Sequence, residues 1–456
     1  MGSQRKYILN GNPRLLLFKF SIPSIIGLLI SSMYNLIDTI FVGNGVGSIA
    51  IAALTIVFPI QIIMLAIGLM VGVGTASIIS RALGRDEKAL AARATGNAII
   101  LNLFINLILM AGSYLFIDDL LRFFGASANV LPYAREYLSV ILFGFVFFSF
   151  SLAANHIIRA EGRPRAAIYP MVVGAVLNII LDPVFIFVLD MGVRGAAIAT
   201  IISQTATVLH IMLYFYLGKS ILRPGRKVLR PDPRMMRHIL TIGFPSFLTA
   251  IIDSVIFLVF NRAILYYGND TYIAIAGITI RILDIVTKPI VGISYGFSTI
   301  AGFNYGAGLF RRVRIILREA VLWTSIIAFS GFIAAMIFPR WLFRIFTDNT
   351  QVISNGIVPM RIIVMLLPML GFLVVGGMLF QAIGKPLPAL IINVSRQIIF
   401  LLPAIFILPL YLGLNGVFLS WPVSDFLSFI VTLVLVVIEL KYISRTAGME
   451  EEKAPV

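Results

Sequence analysis

Apolar residues run along this chain in long stretches, each separated from the next by a short cluster of charge, Gly or Pro. A stretch of more than about 18 such residues is long enough to cross a hydrocarbon core of about 30 Å as a helix. Twelve spans are predicted, at residues 16–41, 52–79, 94–116, 134–159, 167–189, 194–217, 239–266, 272–300, 316–338, 354–381, 387–410 and 415–440. The predicted class is an all-α integral membrane protein, because helices satisfy their own backbone groups inside lipid.

The pattern occurs twice. Pro23, in Phe20-Ser21-Ile22-Pro23-Ser24, returns as Pro245 in Gly243-Phe244-Pro245-Ser246, an offset of 245 − 23 = 222. Gly74 and Gly84 return as Gly296 and Gly306, and Arg159-Ala160-Glu161-Gly162-Arg163-Pro164 returns as Gln381-Ala382-Ile383-Gly384-Lys385-Pro386. Six spans per half is an even number, so both halves enter the membrane in one orientation, as two lobes related by a pseudo-two-fold axis along the membrane normal. The expected division is an N-terminal lobe at 1–216, a basic cytoplasmic linker at 217–238 and a C-terminal lobe at 239–456. Pro224, Pro231 and Pro233 keep that linker from continuing a helix, and it reads either as a strap between lobes or as an ordinary solvated loop.

Composition agrees with the bilayer, at 59% hydrophobic and 12% charged. The first span carries Tyr34, Asn35 and Asp38 without a small-residue cleavage site, so it reads as retained. The net charge of +16 gathers in alternate loops, around Arg81 to Arg93, Arg159 to Arg165, Lys219 to Arg237 and Arg311 to Arg318. That distribution is positive-inside, predicts both termini in the cytoplasm, and argues against a nucleic-acid partner. There is no Cys, and the three His residues do not pair at metal-ligand spacing, so neither thiol chemistry nor a zinc site is expected.

Ten ionisable residues fall inside the spans: Asp38, Asp182, Asp253, Asp284, Asp425, Arg262, Arg281, Lys288, Arg361 and Arg396. At about 3 kcal/mol each they would cost on the order of 30 kcal/mol facing lipid, so they face a cavity or one another. Depth sorts them. Asp38 lies about four residues from the outer end of the first span, Asp182 about seven from that of the fifth, and Thr200 about six into the sixth, within one turn in depth. Asn178 and Asp182 share a helix face, and Tyr34 and Asn35 lie one turn below Asp38. Pro183 frees the carbonyl of Ile179 nearby. This makes an oxygen-only pocket for a hard cation such as Na⁺, or for a proton shared between two carboxylates that do not both ionise without a countercharge.

The second half carries other chemistry, with Asp253, Asp284, Lys288, Arg396 and Asp425 near mid-membrane and Arg281-x-x-Asp284-x-x-x-Lys288 on one helix face. These residues either shape the substrate path or form a neutralised network that holds the bundle. Asn155 and His156, near the inner end of the fourth span, are expected to make hydrogen bonds at the cytoplasmic end, with a proton relay as the alternative, and Gln61, Asn393 and Gln397 to line a cavity.

Tyr34-Asn35-Leu36-Ile37-Asp38, Asn178-Ile179-Ile180-Leu181-Asp182-Pro183, Arg159-Ala160-Glu161-Gly162 and Gly302-Phe303-Asn304-Tyr305-Gly306-Ala307, within twelve spans in two halves, resemble the multidrug and toxic compound extrusion (MATE) transporters of archaea and bacteria. The resemblance implies two six-helix lobes around a V-shaped cleft, exchanging organic, often cationic, compounds for Na⁺ or H⁺. It places a cation site on Asp38, Asn178, Asp182 and Thr200, with Tyr34 and Tyr137 lining the same lobe; some relatives use acidic residues of the second lobe, against which Asp253 and Asp284 match loosely. The expected function is a plasma-membrane antiporter, acting as a monomer on small organic substrates amid membrane lipid, with no organic cofactor and no enzymatic activity. The rival is a lipid or oligosaccharide flippase of the same superfamily, for which Arg281, Lys288, Arg361 and Arg396 would bind phosphate.

Overall fold

The computed structural model describes residues 2–46, 48–218, 220–225 and 228–451, with the side chains of 2–3, 35–36, 39–40, 42–46, 48–51 and 446–451 outside that description. Every regular element among the described residues is helical. A short leading helix α1 (Gly2–Asn10) precedes α2 (Pro13–Val46), α3 (Ser48–Gly84), α4 (Lys88–Leu115), the short α5 (Ile117–Phe123) and α6 (Leu131–Ala160). Then come α7 (Pro164–Pro183), a π-helical turn at Val184–Val188, and α8 (Gly192–Tyr216). The second half comprises α9 (Pro233–Tyr267), α10 (Asp270–Gly306), α11 (Phe310–Ile337), α12 (Pro339–Arg344), α13 (Thr350–Val364), α14 (Leu367–Ile383), α15 (Pro386–Val394), a π-helical turn at Ser395–Leu401, α16 (Leu402–Leu412) and α17 (Leu414–Glu451).

Among the described residues ten helical passes are long and apolar enough to cross a membrane, and α13 with α14 makes one more, bent by 44°. The remaining pass is α10, 37 residues long, in which the charges of Arg281, Asp284 and Lys288 interrupt the apolar run. These sum to 10 + 1 + 1 = 12.

Helix ends follow local chemistry. Asn269 accepts from the Thr271 N–H at the start of α10, and Asn349 accepts from Gln351 and Val352 at the start of α13. Pro183 ends the regular part of α7, and the chain continues as a π turn in which Leu189 N–H reaches back five residues to the Val184 carbonyl at 2.9 Å.

By packing, the chain forms two compact units. The N-unit runs from Ile26 to Ile251; the C-unit holds the residues up to Ile25 together with those from Ile252 onward. The chain passes between units inside two continuous helices, α2 just after Pro23 and α9 just after Pro245. Packing therefore divides the protein within helices, whereas the sequence repeat, and the lobes drawn from it at 1–216 and 239–456, divide it at a loop.

The start of α9 lies against α3 in the N-unit, backbone to backbone. A Cβ on Gly243 would come within 1.8 Å of the Met70 carbonyl oxygen, and one on Gly74 within 2.1 Å of that of Ile239. Only glycine allows such an approach, which apolar solvent favours because packing is the main force left between helices. The start of α2 is held in the C-unit. Phe18 meets Trp323 edge-on at 4.8 Å, and Arg312 donates to the carbonyls of Ile8 and Gly11, at 3.4 and 2.6 Å, where α1 ends.

The described residues among 217–232 are the non-helical part of the linker, and residues 233–238 already belong to α9. The former are seated on the N-unit. Glu161, in the turn between α6 and α7, accepts from Tyr214 Oη at 2.7 Å, Ser220 Oγ at 3.0 Å and the Ile221 N–H at 2.7 Å. Farther on, Asn97 of α4 donates to the Arg230 carbonyl at 3.3 Å and accepts from the Asp232 N–H at 2.7 Å, while Arg93 pairs with Asp232 at 2.8 Å. These bonds hold described residues near both ends of the segment to the N-unit.

Candidate cation site

The first-half candidates meet inside the N-unit. Asp38 sits eight residues before the end of α2 (46 − 38), Asp182 six before the end of the π turn (188 − 182), and Thr200 eight after the start of α8 (200 − 192). At about 1.5 Å per residue those depths agree to within about 3 Å. The Asp38 and Asp182 carboxyls lie within hydrogen-bonding reach of each other. Asn178 Nδ2 donates to Asp182 Oδ1 at 3.0 Å and to Thr200 Oγ1 at 3.4 Å, and Thr200 in turn donates to the Ala196 carbonyl at 3.0 Å. Tyr34 reaches Thr200, and Tyr137 stands beside Asp38, Tyr34 and Asp182 with its hydroxyl 3.4 Å from Gln61 Nε2. The side chain of Asn35 lies outside the described residues.

Asn178 and Asp182 are buried, at 1% and 0% exposure. Three buried oxygens of this cluster, Asp38 Oδ1, Asn178 Oδ1 and Asp182 Oδ2, receive no hydrogen bond from the protein. Buried acceptors are nearly always paired, so an unpaired trio on three neighbouring side chains is chemically informative. Carboxylate and amide oxygens with two formal negative charges, and no basic residue among them, suit a hard monovalent cation or protons.

The remaining candidates lie elsewhere. Asn155 donates to the Ala167 carbonyl at 2.6 Å, pinning α7 to α6 away from the carboxyl pair. In the C-unit, Arg396 pairs with Asp425 at 2.8 Å, Ser424 Oγ donates to the Arg396 carbonyl at 2.5 Å, and Gln397 Nε2 donates to Asp253. Asp284 and Lys288 pair along α10 at 3.6 Å, with Arg281 exposed on the same helix, and Arg361 donates to the Met336 carbonyl near the end of α11 at 2.9 Å. Gln61, expected from the sequence only to line a cavity, stands beside Tyr137 because α3 packs on α6, which spacing does not encode.

The second half has no copy of the cluster. Adding the offset of 222 carries Asp38 to Phe260, Asn178 to Phe400, Asp182 to Ala404 and Thr200 to Pro422.

Twelve helical passes, a duplicated chain and a buried oxygen cluster in one unit define a membrane transporter rather than an enzyme. The comparisons with known proteins make this specific. The MatE family model matches residues 23–184 and again 245–407, and the chain belongs to that family. It is 28% identical over 419 residues to "Multidrug export protein MepA" of Staphylococcus aureus (strain MSSA476), covering 91% of this chain and 92% of that one. Among solved structures it is similar to "Crystal structure of MATE in the straight conformation", with a TM-score of 0.91 at 28% identity over 96% of this chain and 98% of that one. "Crystal structure of MATE in the bent conformation" is as similar, with a TM-score of 0.91 at 27% identity over 97% and 99%.

Proposed function

We propose that this protein is a secondary active antiporter that exports organic, cationic and amphipathic compounds across the plasma membrane in exchange for Na⁺ or H⁺. The observation that carries the reading is the trio of buried oxygens without donors, Asp38 Oδ1, Asn178 Oδ1 and Asp182 Oδ2, in a family of transporters. A cation taken up there neutralises charge in a low-dielectric interior. The acceptor count favours Na⁺: one proton brings a single O–H donor, whereas one metal ion accepts lone pairs from all three oxygens. Because Asp38 stands on α2, which runs on past Pro23 into the other unit, loading the site changes the forces on a helix shared by both. That is the structural basis for coupling ion uptake to alternating access. The charge distribution, with basic loops on one side, supports both termini in the cytoplasm.

A cationic cargo is supported over a phosphate-bearing one by the second-half charges. Arg396 is engaged by Asp425, Lys288 by Asp284 and Arg361 by a helix-terminal carbonyl, so three of the four basic groups a flippase would use already have partners.

The test is efflux of a fluorescent organic cation from proteoliposomes under an imposed Na⁺ gradient and, separately, an imposed pH gradient. Transport driven by one gradient, and abolished by Asp38→Asn and by Asp182→Asn, is the expected result and names the ion. Equal behaviour of wild type and both variants under both gradients would remove the assignment.

A further inference from the structure

Arg281 of α10 is exposed and makes no hydrogen bond or ion pair with any other described residue. It stands 281 − 270 = 11 residues into the helix, about 16 Å from the end nearer to it. Arg262, by contrast, lies five residues before the end of α9 (267 − 262), where a long basic side chain can reach the headgroups. Arg281 is too deep for that.

The helix has two faces. Ile275, Ile282 and Ile290 are buried in the C-unit core with Phe343 and Met360, and Val286 packs where Gly331 of α11 leaves room. On the opposite face Gly277, Arg281, Asp284 and Lys288 follow at steps of four, three and four residues, which makes one stripe along the helix. A Cβ on Gly277 would meet nothing within 4 Å, so space is open one turn before the guanidinium. Farther along, α10 closes on the start of α2. A Cβ on Gly292 would come within 2.5 Å of Ile25 Cγ1, and one on Gly296 within 2.6 Å of Ser21 Oγ. A guanidinium without a counterion is costly against hydrocarbon, so the open part of the stripe faces water.

Asp284 and Lys288 neutralise each other at 3.6 Å and leave Arg281 with an unbalanced positive charge. The first repeat has none of these charges. The offset of 222 carries Arg281, Asp284 and Lys288 back to Pro59, Ile62 and Ala66, and Ala66 is fully buried. The fold of the repeat therefore does not require a basic residue at this place. A guanidinium presents a rigid fork of N–H donors that pairs with a carboxylate through two parallel hydrogen bonds.

We infer that Arg281 binds an acidic group of the cargo, so that the exported compounds include zwitterions in which a carboxylate accompanies the cationic centre. The inference rests on the export reading above and narrows its substrate class. One free guanidinium, with Lys288, Arg361 and Arg396 already engaged, suits a single acidic group and not a multiply charged headgroup.

Fluorescence polarisation tests this on the full chain in lipid nanodiscs, with binding to empty discs subtracted. The probes are a rhodamine with a free benzoate and the same dye as its methyl ester, which differ by one negative charge. Arg281→Gln should weaken binding of the acid by at least about tenfold and leave the ester within about twofold of wild type. Arg281→Lys, which keeps the charge and loses the fork, should fall between. Asp284→Asn releases Lys288 and should tighten the acid without moving the ester; it carries the test by itself if Arg281→Gln does not accumulate. A role of Arg281 in holding the fold would weaken both dyes alike. That result, unchanged binding of the acid in the variants, or no binding of the acid to wild type overturns the inference. Efflux of the same dyes from proteoliposomes is read separately. Arg281-dependent binding without gradient-driven efflux leaves the acid site standing and removes the export reading, whereas efflux without any Arg281-dependent preference for the acid does the reverse.

Discussion

Asn178 Nδ2 donates to Asp182 Oδ1 at 3.0 Å, one turn later on the same helix, and leaves its own Oδ1 buried without a donor. The amide therefore orients one carboxylate while presenting an oxygen of its own beside it. Replacing Asn178 with Leu removes both functions. The expected cost is roughly 1–3 kcal/mol of ion binding, a weakening of about 5- to 150-fold in the apparent affinity for the coupling ion. Titration of efflux against Na⁺ and against pH reads it; unchanged half-saturation for the driving ion counts against the site.

Thr200 stands at the margin of the cluster, 3.4 Å from Asn178 Nδ2 and bonded to its own helix. Thr200→Val keeps the shape and removes the hydroxyl. A smaller effect is expected than from Asn178→Leu, of order 1 kcal/mol or about fivefold in ion affinity. A loss as complete as that of Asp38→Asn would move Thr200 from the edge of the site to its centre.

The Arg396–Asp425 pair is a stability element in the second half. Asp425→Asn leaves a guanidinium without its partner inside the bilayer, and the expected destabilisation is on the order of 3 kcal/mol, discounted somewhat because Arg396 keeps partial exposure. Thermal unfolding followed by tryptophan fluorescence measures it. The double variant Arg396→Leu, Asp425→Leu should recover most of the loss, since the penalty comes from the unpaired charge.

Gly243 faces the Met70 carbonyl with no room for a methyl group. Gly243→Ala should cost about 1–3 kcal/mol by overpacking, whereas Gly225→Ala, with nothing within 4 Å, should be neutral. Equal melting temperatures for the two variants would show that α9 does not press on α3 as described.

Asp232 caps the start of α9. The Met235 N–H, then the Arg234 N–H and the Arg93 guanidinium, hold its carboxyl below the usual carboxylate range. A depressed value in the folded state means that the contribution to stability is present above the unfolded value, near pH 4, and is lost as pH falls through the folded one. Asp232→Asn keeps a capping oxygen but loses the ion pair. Its unfolding should therefore depend less on pH below about 4 than that of wild type.

Helix arithmetic made the meeting of Asp38, Asp182 and Thr200 legible, because residues at one depth on helices of known direction have little choice of level. The offset of 222 made the duplication legible for the same reason: regular spans preserve register. Other features were hidden because they depend on which helix packs on which. Gln397 meets Asp253 across 144 positions, and Arg361 finds a carbonyl that opens only because α11 ends near Met336. Glu161 could be seen as part of a motif, but its partners Ser220 and Ile221 lie in a stretch whose sequence resembles any basic loop.

The leading segments ahead of Pro23 and Pro245 each pack in the unit built mainly from the other repeat. One repeat on its own is therefore not a finished folding unit: it lacks a helix start of its own and carries one meant for a neighbour. An ancestor with a single copy of the repeat, built to this plan, would have had to pair with a second molecule and trade those segments, as swapped dimers do. Cutting the present protein in the linker would leave each piece carrying a helix start that packs in the unit built mainly from the other.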